Sequence, residues 1–254
     1  MGQIRTNKLL RPDEPPAVEV VNPDGKSAAF LICDHASNRI PRTLGTLGLS
    51  EAERADHIAW DPGAANMARR LSELLDAPLV LSGYSRLVID CNRAPDMPTF
   101  IAPLSETTEI PGNKNLEPAE FAAREREIHR PYHDRIVTLL DQRAVTGRRD
   151  VLIAMHSFTP VFKDVSRRWQ IGLLYNRDTR VARILKGLLA GHGLEIGDNE
   201  PYAITDTSDY GIPVHGEQRG IPHIEIEIRQ DLIADEQGQR EWAGRLASVF
   251  DKIP

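Results

Sequence analysis

Short apolar runs recur along the chain, and polar segments rich in glycine and proline separate them. A run of this kind, too short for a helix, is typical of a strand buried on both faces. The run at 151–156 leads directly into a His-Ser pair, whereas the run at 223–228 alternates between apolar and charged residues. Strands are predicted at 17–22, 28–33, 78–83, 86–91, 151–156, 171–176 and 223–228.

Apolar residues at helical spacing lie between most of these runs. One helix is predicted to begin at 49–51, where Ser50 and Glu53 have the spacing of a capping box. Pro131 is expected to kink or split a long charged helical stretch. The other helical stretches are 64–75, 117–145, 178–193 and 239–250.

The alternation of strands and helices favours an α/β fold with three layers, α/β/α, and a mixed, mainly parallel central sheet. We expect a single domain over 1–254, with 1–16 as a loose or docked tail. The segments 94–116 and 197–220 show no clear period. Because loops of that length in a compact domain are commonly functional, both are candidates for lids or binding loops.

Composition excludes several classes of partner. The 254 residues carry a formal net charge of -6 and no block of Lys and Arg, so nucleic acid is not an expected partner. No apolar run approaches the roughly 18 residues that cross a bilayer, and the N-terminus lacks the apolar core of a signal peptide. Cys33 and Cys91 lie in apolar runs and are expected to be buried free thiols in a reducing cytoplasm. Homo-oligomerisation stays open.

Reactive side chains follow several of the predicted strands. The carboxyl ends of parallel strands meet at one edge of a sheet, so these groups should converge. Two histidines with an oxygen ligand form a common catalytic zinc set, and a nearby carboxylate can take a proton from water. Arginines bind a substrate carboxylate through two parallel hydrogen bonds. The pattern predicts metal-assisted hydrolysis of an acidic substrate, and the groups are Asp34-His35, Asp90-Cys91-Asn92-Arg93, His156-Ser157 and Glu227-Ile228-Arg229.

These candidates also have structural interpretations. His35 could cap a helix or a turn, and Arg86 and Arg93 could form structural ion pairs. Glu225 and Glu227 share one strand face, so one of them could be a solvated or paired edge residue.

Other reactive side chains lack a supporting motif. His129 and His133 have metal-ligand spacing on a predicted helix, but no H-E-x-x-H motif accompanies them, which favours a solvated helix face. Ser157 has no G-x-S-x-G elbow around it. Neither a G-x-G-x-x-G turn after a strand nor a phosphate loop is present, which disfavours a nucleotide-binding module.

Several motifs together resemble those of the N-formylglutamate amidohydrolase family, and the resemblance spans nearly the whole chain. It implies a fold related to that of the zinc carboxypeptidases and the phosphorylase/hydrolase-like proteins. The motifs are CDHASNRIP (33–41), HIAWDPGA (57–64), YSRLVIDCNR (84–93), IPGN (110–113), MHSFTP (155–160), GDNEPY (197–202) and IEIRQDL (226–232).

The resemblance also implies roles for single residues. His35 and His156 look like the metal-binding histidines, and Glu227 in Glu-Ile-Arg looks like the general base. The pair Asn92-Arg93 looks like the pair that holds the substrate carboxylate.

One position departs from the carboxypeptidase pattern. Asn38 stands where those peptidases have a glutamate ligand, and an amide oxygen is a poor zinc ligand compared with a carboxylate. The third ligand could be Asn38, Asp61 or a water. We expect one divalent ion, with zinc the leading candidate.

The resemblance implies an amidohydrolase that cleaves the C–N bond of an N-acylated acidic amino acid. N-formyl-L-glutamate is the leading substrate, which would connect the enzyme to histidine degradation. Arg86 could join Asn92 and Arg93 in binding a carboxylate. His215 could contact the substrate or the developing oxyanion, or lie on a surface loop. A rival interpretation is a catalytically silent protein that binds an acidic small ligand on the same fold.

Overall fold

A seven-stranded mixed sheet forms the centre of the computed structural model, which describes residues 8–250 and 252. Two short hairpins lie outside this sheet. The strands are β1 Val18–Val21, β2 Ala29–Cys33, β3 Leu79–Ser82, β4 Leu104–Ser105, β5 Thr108–Glu109, β6 Val151–Phe158, β7 Val161–Phe162, β8 Val165–Ser166, β9 Ile171–Leu174, β10 Ile196–Asp198 and β11 His223–Arg229.

The strand order in the main sheet is β1-β3-β2-β6-β11-β9-β10. The central strands β3, β2, β6 and β11 run parallel, β10 runs parallel to β9, and the pairs β1–β3 and β11–β9 are antiparallel. Helices cover both faces, so the predicted three-layer α/β/α fold with a mainly parallel sheet is confirmed. The helices are α1 Glu51–Ala55, α2 Ala64–Leu75, α3 Pro118–Arg124, α4 Arg130–Val145, α5 Arg180–Leu189 and α6 Glu236–Phe250.

The pleat of β6 divides its side chains between two apolar cores. Ile153 and Met155 pack in the core that includes residues of α2, α5 and α6. Leu152 and Ala154 pack on the other face, in the core that includes residues of α4. Because side chains alternate along a strand, the next even-numbered residue, His156, lies on the α4 side of the sheet.

The predicted helices are present, and the structure adds detail at one cap and at Pro131. Ser50 caps α1 and forms the predicted capping box with Glu53. The stretch 117–145 is divided into α3, a π-helical turn at Glu125–His129 and α4, and Pro131 lies in the first turn of α4. A proline is tolerated there because a first-turn N–H has no helical partner. None of the helices within 8–250 has both the length and the apolar character needed to cross a bilayer.

The strand predicted at 86–91 is wrong, because this buried segment has no regular structure. Loop backbone and side chains, instead of a neighbouring strand, are its hydrogen-bond partners. Asn113 Nδ2 donates to the carbonyl oxygen of Leu87 at 2.8 Å, and Arg124 Nη1 donates to that of Val88 at 3.0 Å. The run is apolar because the segment is buried. A buried strand and a buried irregular segment with satisfied hydrogen bonds have the same apolar character.

The long segments predicted as loops contain some regular structure. The hairpin β4–β5 and a 3-10 turn at Pro111–Asn113 lie within 94–116. Strand β10 and a π-helical turn at Ile212–Glu217 lie within or next to 197–220. In the N-terminal tail, Leu9 is buried and the carbonyl oxygen of Pro15 accepts a hydrogen bond from Tyr84; residues 1–7 lie outside the described part of the chain.

Gly63 is the N-cap residue of α2. Its φ of 82° is in the left-handed region, and a Cβ atom there would lie 2.4 Å from the carbonyl oxygen of Ile233. A side chain at this position would therefore strain the backbone and collide with a neighbouring loop.

We expect Gly63→Ala to lower the free energy of unfolding by about 2 kcal/mol or more, because it combines an unfavourable φ with a backbone clash. Gly187→Ala is the matched control, since a Cβ atom at this position in α5 would meet nothing within 4 Å. Removing a helical glycine should stabilise by about 0.5–1 kcal/mol. Urea denaturation measures the free energy of unfolding of both variants. Equal values for the two would contradict the role of Gly63.

Candidate active site

A cavity of about 530 Å³ opens at the carboxyl ends of β2, β6 and β11. These three strands are neighbours in the sheet, so the residues at their ends are brought together. His35 follows β2, His156 lies near the end of β6, and Glu225 and Glu227 lie on β11; all four line the cavity. The predicted convergence of strand-end residues is therefore present.

The alternation of β11 explains why both glutamates face the cavity. Ile224, Ile226 and Ile228 pack in the core on the α2 side of the sheet. Glu225 and Glu227 consequently point to the same side as His156, which lies directly opposite Glu227 in the parallel register.

A carboxylate holds one nitrogen of each buried histidine. His35 Nε2 donates to Asp90 Oδ1 at 2.7 Å, and His156 Nδ1 donates to Asp61 Oδ2 at 2.8 Å. Burial alone would lower the pKa of each histidine, but the surrounding carboxylates outweigh it, and the pKa values of both are raised. A carboxylate in this position fixes the ring and its tautomer, as it does for histidines that bind metals.

The opposite nitrogens of the two rings are buried and have no hydrogen-bond partner among the described residues. These atoms are His35 Nδ1 and His156 Nε2, and both carboxylate oxygens of Asp34 share this condition. Asp34 Oδ1 lies 3.7 Å from His35 Nδ1 and 3.2 Å from His156 Nε2. Buried polar atoms are normally satisfied, so these unpartnered ring nitrogens and carboxylate oxygens, which lie close together, are suited to hold a ligand. Asp34, His35 and His156 together fit a divalent metal ion.

Asp34 has no predicted role of its own. Its signal in the sequence is its position beside His35 at the end of a strand. Asp90 carries the same kind of signal two residues before Asn92, and the sequence does not show which of these two side chains reaches the histidine pair.

Arg86 is the counter-ion of the carboxylates that orient the histidines. Its Nη2 lies 2.9 Å from Asp90 Oδ2, and its Nη1 lies 3.7 Å from Asp61 Oδ1. Burial would raise the pKa of Asp90, but Arg86 and His35 hold it well below its ordinary value. Of the two interpretations from the sequence, the structural ion pair describes Arg86, although its side chain also lines the cavity.

Glu225 and Glu227 are both buried, and each has an Oε2 atom without a hydrogen-bond partner among the described residues. Burial raises the pKa of Glu227 to about 8 and that of Glu225 well above its ordinary value. Glu225 Oε2 lies 3.8 Å from His156 Nε2. Glu225 is therefore part of the cavity floor, not a solvated edge residue.

Asn92 and Arg93 form another wall of the cavity. The Asn92 side chain is occupied within the protein: Oδ1 accepts from the backbone N–H groups of Tyr210 and Gly211, each at 2.9 Å, and Nδ2 donates to Asp209. Arg93 is freer, since its side chain is 21% exposed and its ion pair with Asp209 is long, at 3.7 Å. Arg93 is thus able to bind an anion in the cavity, while Asn92 holds the loop at 209–211.

Two residues with predicted site roles do not line the cavity. Asn38 Nδ2 donates to the carbonyl oxygen of Arg54 at 3.0 Å, which turns its side chain toward α1. His215 is buried, and its Nε2 lies 2.8 Å from His133 Nδ1. The structure does not bring either one to the histidine pair.

The interpretation of His129 and His133 as a solvated helix face is wrong, because both are buried. They pack under the segment that carries Arg93. His133 Nε2 donates to the carbonyl oxygen of Cys91 at 2.9 Å, and His129 Nε2 lies 3.3 Å from that of Arg93. Burial lowers the pKa of both histidines, so neutral rings serve as donors to this irregular backbone.

Two solved structures are similar to this one over nearly the whole chain. The structure is similar to the crystal structure of gene product Atu2144 from Agrobacterium tumefaciens, with a TM-score of 0.94 and 40% sequence identity over 96% of this chain and 97% of that chain. It shares its fold with an N-formylglutamate amidohydrolase from Ralstonia eutropha JMP134, with a TM-score of 0.67 and 15% identity over 94% of this chain and 97% of that chain. Among curated protein sequences, none matches.

The family assignment comes from the sequence itself. The model of the N-formylglutamate amidohydrolase family matches residues 27–234, which include all of the residues that form the cavity floor. The chain belongs to the N-formylglutamate amidohydrolase family, whose members are hydrolases that act on amide bonds.

Proposed function

We propose that this amidohydrolase depends on a metal ion and cleaves the amide bond of an N-acylated acidic amino acid. The observation that carries the proposal is the group of unpartnered buried atoms on Asp34, His35 and His156. Nitrogen and oxygen donors of this kind suit zinc, and three protein ligands leave a position open for reaction. The two buried thiols, Cys33 and Cys91, suit a cytoplasmic enzyme.

Asp34 is the best third ligand for the ion. Both of its oxygens lack partners, whereas Asp61 already accepts a hydrogen bond from His156 Nδ1. Asp61 would then orient His156 from behind, as Asp90 orients His35. Asn38 takes no part in this arrangement. Under this proposal Asp34 supplies the carboxylate that the carboxypeptidase motif has at the position of Asn38, and this favours a catalyst over a catalytically silent protein.

The bound ion would polarise the acyl oxygen and make a nearby water more acidic. Glu227 would take a proton from the attacking water through its unpartnered Oε2 and return it to the leaving nitrogen. The Glu-Ile-Arg match and the position opposite His156, at the open end of β11, are the grounds for choosing Glu227. Glu225 Oε2 lies 3.8 Å from His156 Nε2, so Glu225 is the alternative base, and the two glutamates are tested against each other. Burial raises the pKa of Glu227 to about 8, and a carboxyl group with a pKa in this range can both take up and release a proton.

Arg93 would hold a carboxylate of the substrate, with Asn92 fixing the loop beside it. N-formyl-L-glutamate, hydrolysed to formate and glutamate, is the leading substrate. Comparing hydrolysis of N-formyl, N-acetyl and N-succinyl amino acids tests this choice directly, and no turnover of any acidic member would contradict the proposed function.

We expect His35→Ala, His156→Ala and Asp34→Asn each to remove the bound metal, as measured by elemental analysis and zinc titration. Asp61→Asn should still bind zinc, with an affinity lower by roughly 10–100-fold, because it removes only the support of His156. His57→Ala is the control, since His57 lines the cavity but bonds to Glu106. Unchanged metal in both histidine variants would sink the assignment, and loss in Asp61→Asn with retention in Asp34→Asn would make Asp61 the ligand.

Glu227→Gln keeps the shape of the side chain but removes the proton acceptor. We expect turnover to fall by about 10²–10⁴-fold while metal and substrate still bind. Glu225→Gln should be far milder. Both are assayed at saturating zinc with metal content measured in each. A Glu227→Gln enzyme within about tenfold of wild type would contradict the mechanism, and a collapse in Glu225→Gln would move the role two residues upstream.

Arg93→Ala should raise KM steeply for acidic substrates, because losing a contact to a buried carboxylate typically costs about 2–5 kcal/mol. The corresponding amide substrates should be affected less, since they offer no charge to the guanidinium. Steady-state kinetics on each acid and its amide provides the comparison. Equal increases in KM for both would exclude Arg93 from carboxylate binding.

A further inference from the structure

Three consecutive backbone carbonyls in the irregular segment that carries Arg93 are each contacted by a side chain. The carbonyl oxygen of Cys91 accepts from His133 Nε2 at 2.9 Å, and that of Asn92 accepts from Arg93 Nη1 at 2.8 Å. The third, that of Arg93, lies 3.3 Å from His129 Nε2. Because this segment is not part of the sheet, the position of its backbone depends in large part on these side chains.

His133 has a second hydrogen-bond partner on the opposite side of its ring. Its Nδ1 lies 2.8 Å from Nε2 of His215, and both rings are buried. Burial lowers the pKa of both histidines, that of His215 to about 4, so both rings are neutral at ordinary pH. A neutral imidazole carries one hydrogen, and His133 uses it in the bond to Cys91. His133 Nδ1 is therefore the acceptor, and His215 Nε2 is the donor.

The result is a hydrogen-bond chain with one direction, from His215 through His133 to the carbonyl oxygen of Cys91. His215 lies in the π-helical turn at Ile212–Glu217, and its Nδ1 has no hydrogen-bond partner among the described residues, which suits the acceptor nitrogen at the start of the chain. A flipped ring at His133 would present carbon atoms to both partners and lose both bonds. His215 thus fixes the orientation in which His133 meets the irregular segment.

The loop that carries Asp209 packs on the same histidine rings. The ring of Tyr210, the next residue, lies 4.6 Å from the ring of His133 and 5.3 Å from that of His129, measured between centroids. Asp209 Oδ1 in turn lies 3.7 Å from Arg93 Nη1. The two histidines therefore support both of the segments that border the guanidinium of Arg93.

We propose that His133, oriented by His215, is a positioning residue that sets where Arg93 presents its guanidinium to the carboxylate of the substrate. This inference rests on the proposed function, since it requires that Arg93 binds that carboxylate. Neither histidine lines the cavity, so both act through the backbone that they hold. The paired hydrogen bonds between a guanidinium and a carboxylate need two planar groups in alignment, and a small shift of the backbone weakens them.

Two substitutions at His133 separate its donor from its acceptor. His133→Gln can still donate to Cys91 from the position of Nε2, whereas His133→Asn retains a polar group only at the position of Nδ1. We expect His133→Asn to raise KM for acidic substrates by roughly tenfold, because a buried hydrogen bond is lost, and to change kcat and the KM for the corresponding amides little. His133→Gln should restore most of the wild-type KM. Steady-state kinetics on each acid and its amide, at saturating zinc, provides both parameters.

A double variant tests the route of the effect. If His133 acts through Arg93, His133→Asn should raise KM no further in an enzyme that already carries Arg93→Ala. His223→Gln is the matched control, because His223 is also buried and its Nδ1 donates to the carbonyl oxygen of Ile221 at 2.8 Å, but it does not line the cavity. This control should lower the free energy of unfolding in urea without changing KM.

Several results would overturn the inference. Equal KM values for His133→Gln and His133→Asn would mean that the ring only fills space. Additive increases with Arg93→Ala, or equal increases for acids and amides, would mean that the effect does not pass through Arg93. Should His133→Asn fail to fold, His215→Asn removes the donor that orients His133 and should raise KM for the acids alone, so an unchanged KM there counts against the inference.

The single variants distinguish this inference from the proposed function. If Arg93→Ala alone leaves KM for the acidic substrates unchanged, the proposed role of Arg93 fails, and the positioning role of His133 fails with it. If Arg93→Ala raises KM and His133→Asn does not, the carboxylate site stands and the positioning role alone is wrong.

Discussion

The structure depends on balancing charge around two histidines buried at one edge of a sheet. His35 and His156 lie among Asp34, Asp61 and Asp90, and each carboxylate would be costly to bury alone. Arg86 offsets part of the negative charge through its contacts with Asp61 and Asp90. The remaining charge, on Asp34, is what a divalent cation would neutralise under the proposed function. Because β2, β6 and β11 are neighbours in the sheet, the groups at their carboxyl ends lie close together.

Much of the fold could be predicted because its signals are local. Periodicity identified the strands and helices, and the rule that parallel strands present reactive groups at their carboxyl ends brought His35, His156, Glu227 and Arg93 to one region. The segment 86–91 could not be recognised in this way. Its backbone is satisfied by side chains and loop backbone from other parts of the chain, and composition alone cannot distinguish such a segment from a strand.

The finer features of the site depend on which side chains meet in space. The sequence places Asp34, Asp61 and Asp90 next to other reactive residues, but only the fold decides which one bonds to a histidine and which keeps free oxygens. Buried histidines are a similar case. The spacing of His133 within a charged helix suggests solvent exposure, and its burial follows from packing against a segment that the sequence does not mark as its neighbour.

The irregular segment that carries Asn92 and Arg93 has a consequence for how the enzyme can diverge. The histidine pair and the glutamates are fixed by the ladder of the sheet, whereas Arg93 rests on backbone held by Asn113 and Arg124 from outside it. Substitutions among those supports can shift Arg93 by small steps while the strands keep their register. Under the proposed function, substitutions that shift Arg93 would change the length of the substrate that the enzyme accepts, while the histidine pair and the glutamates keep their places.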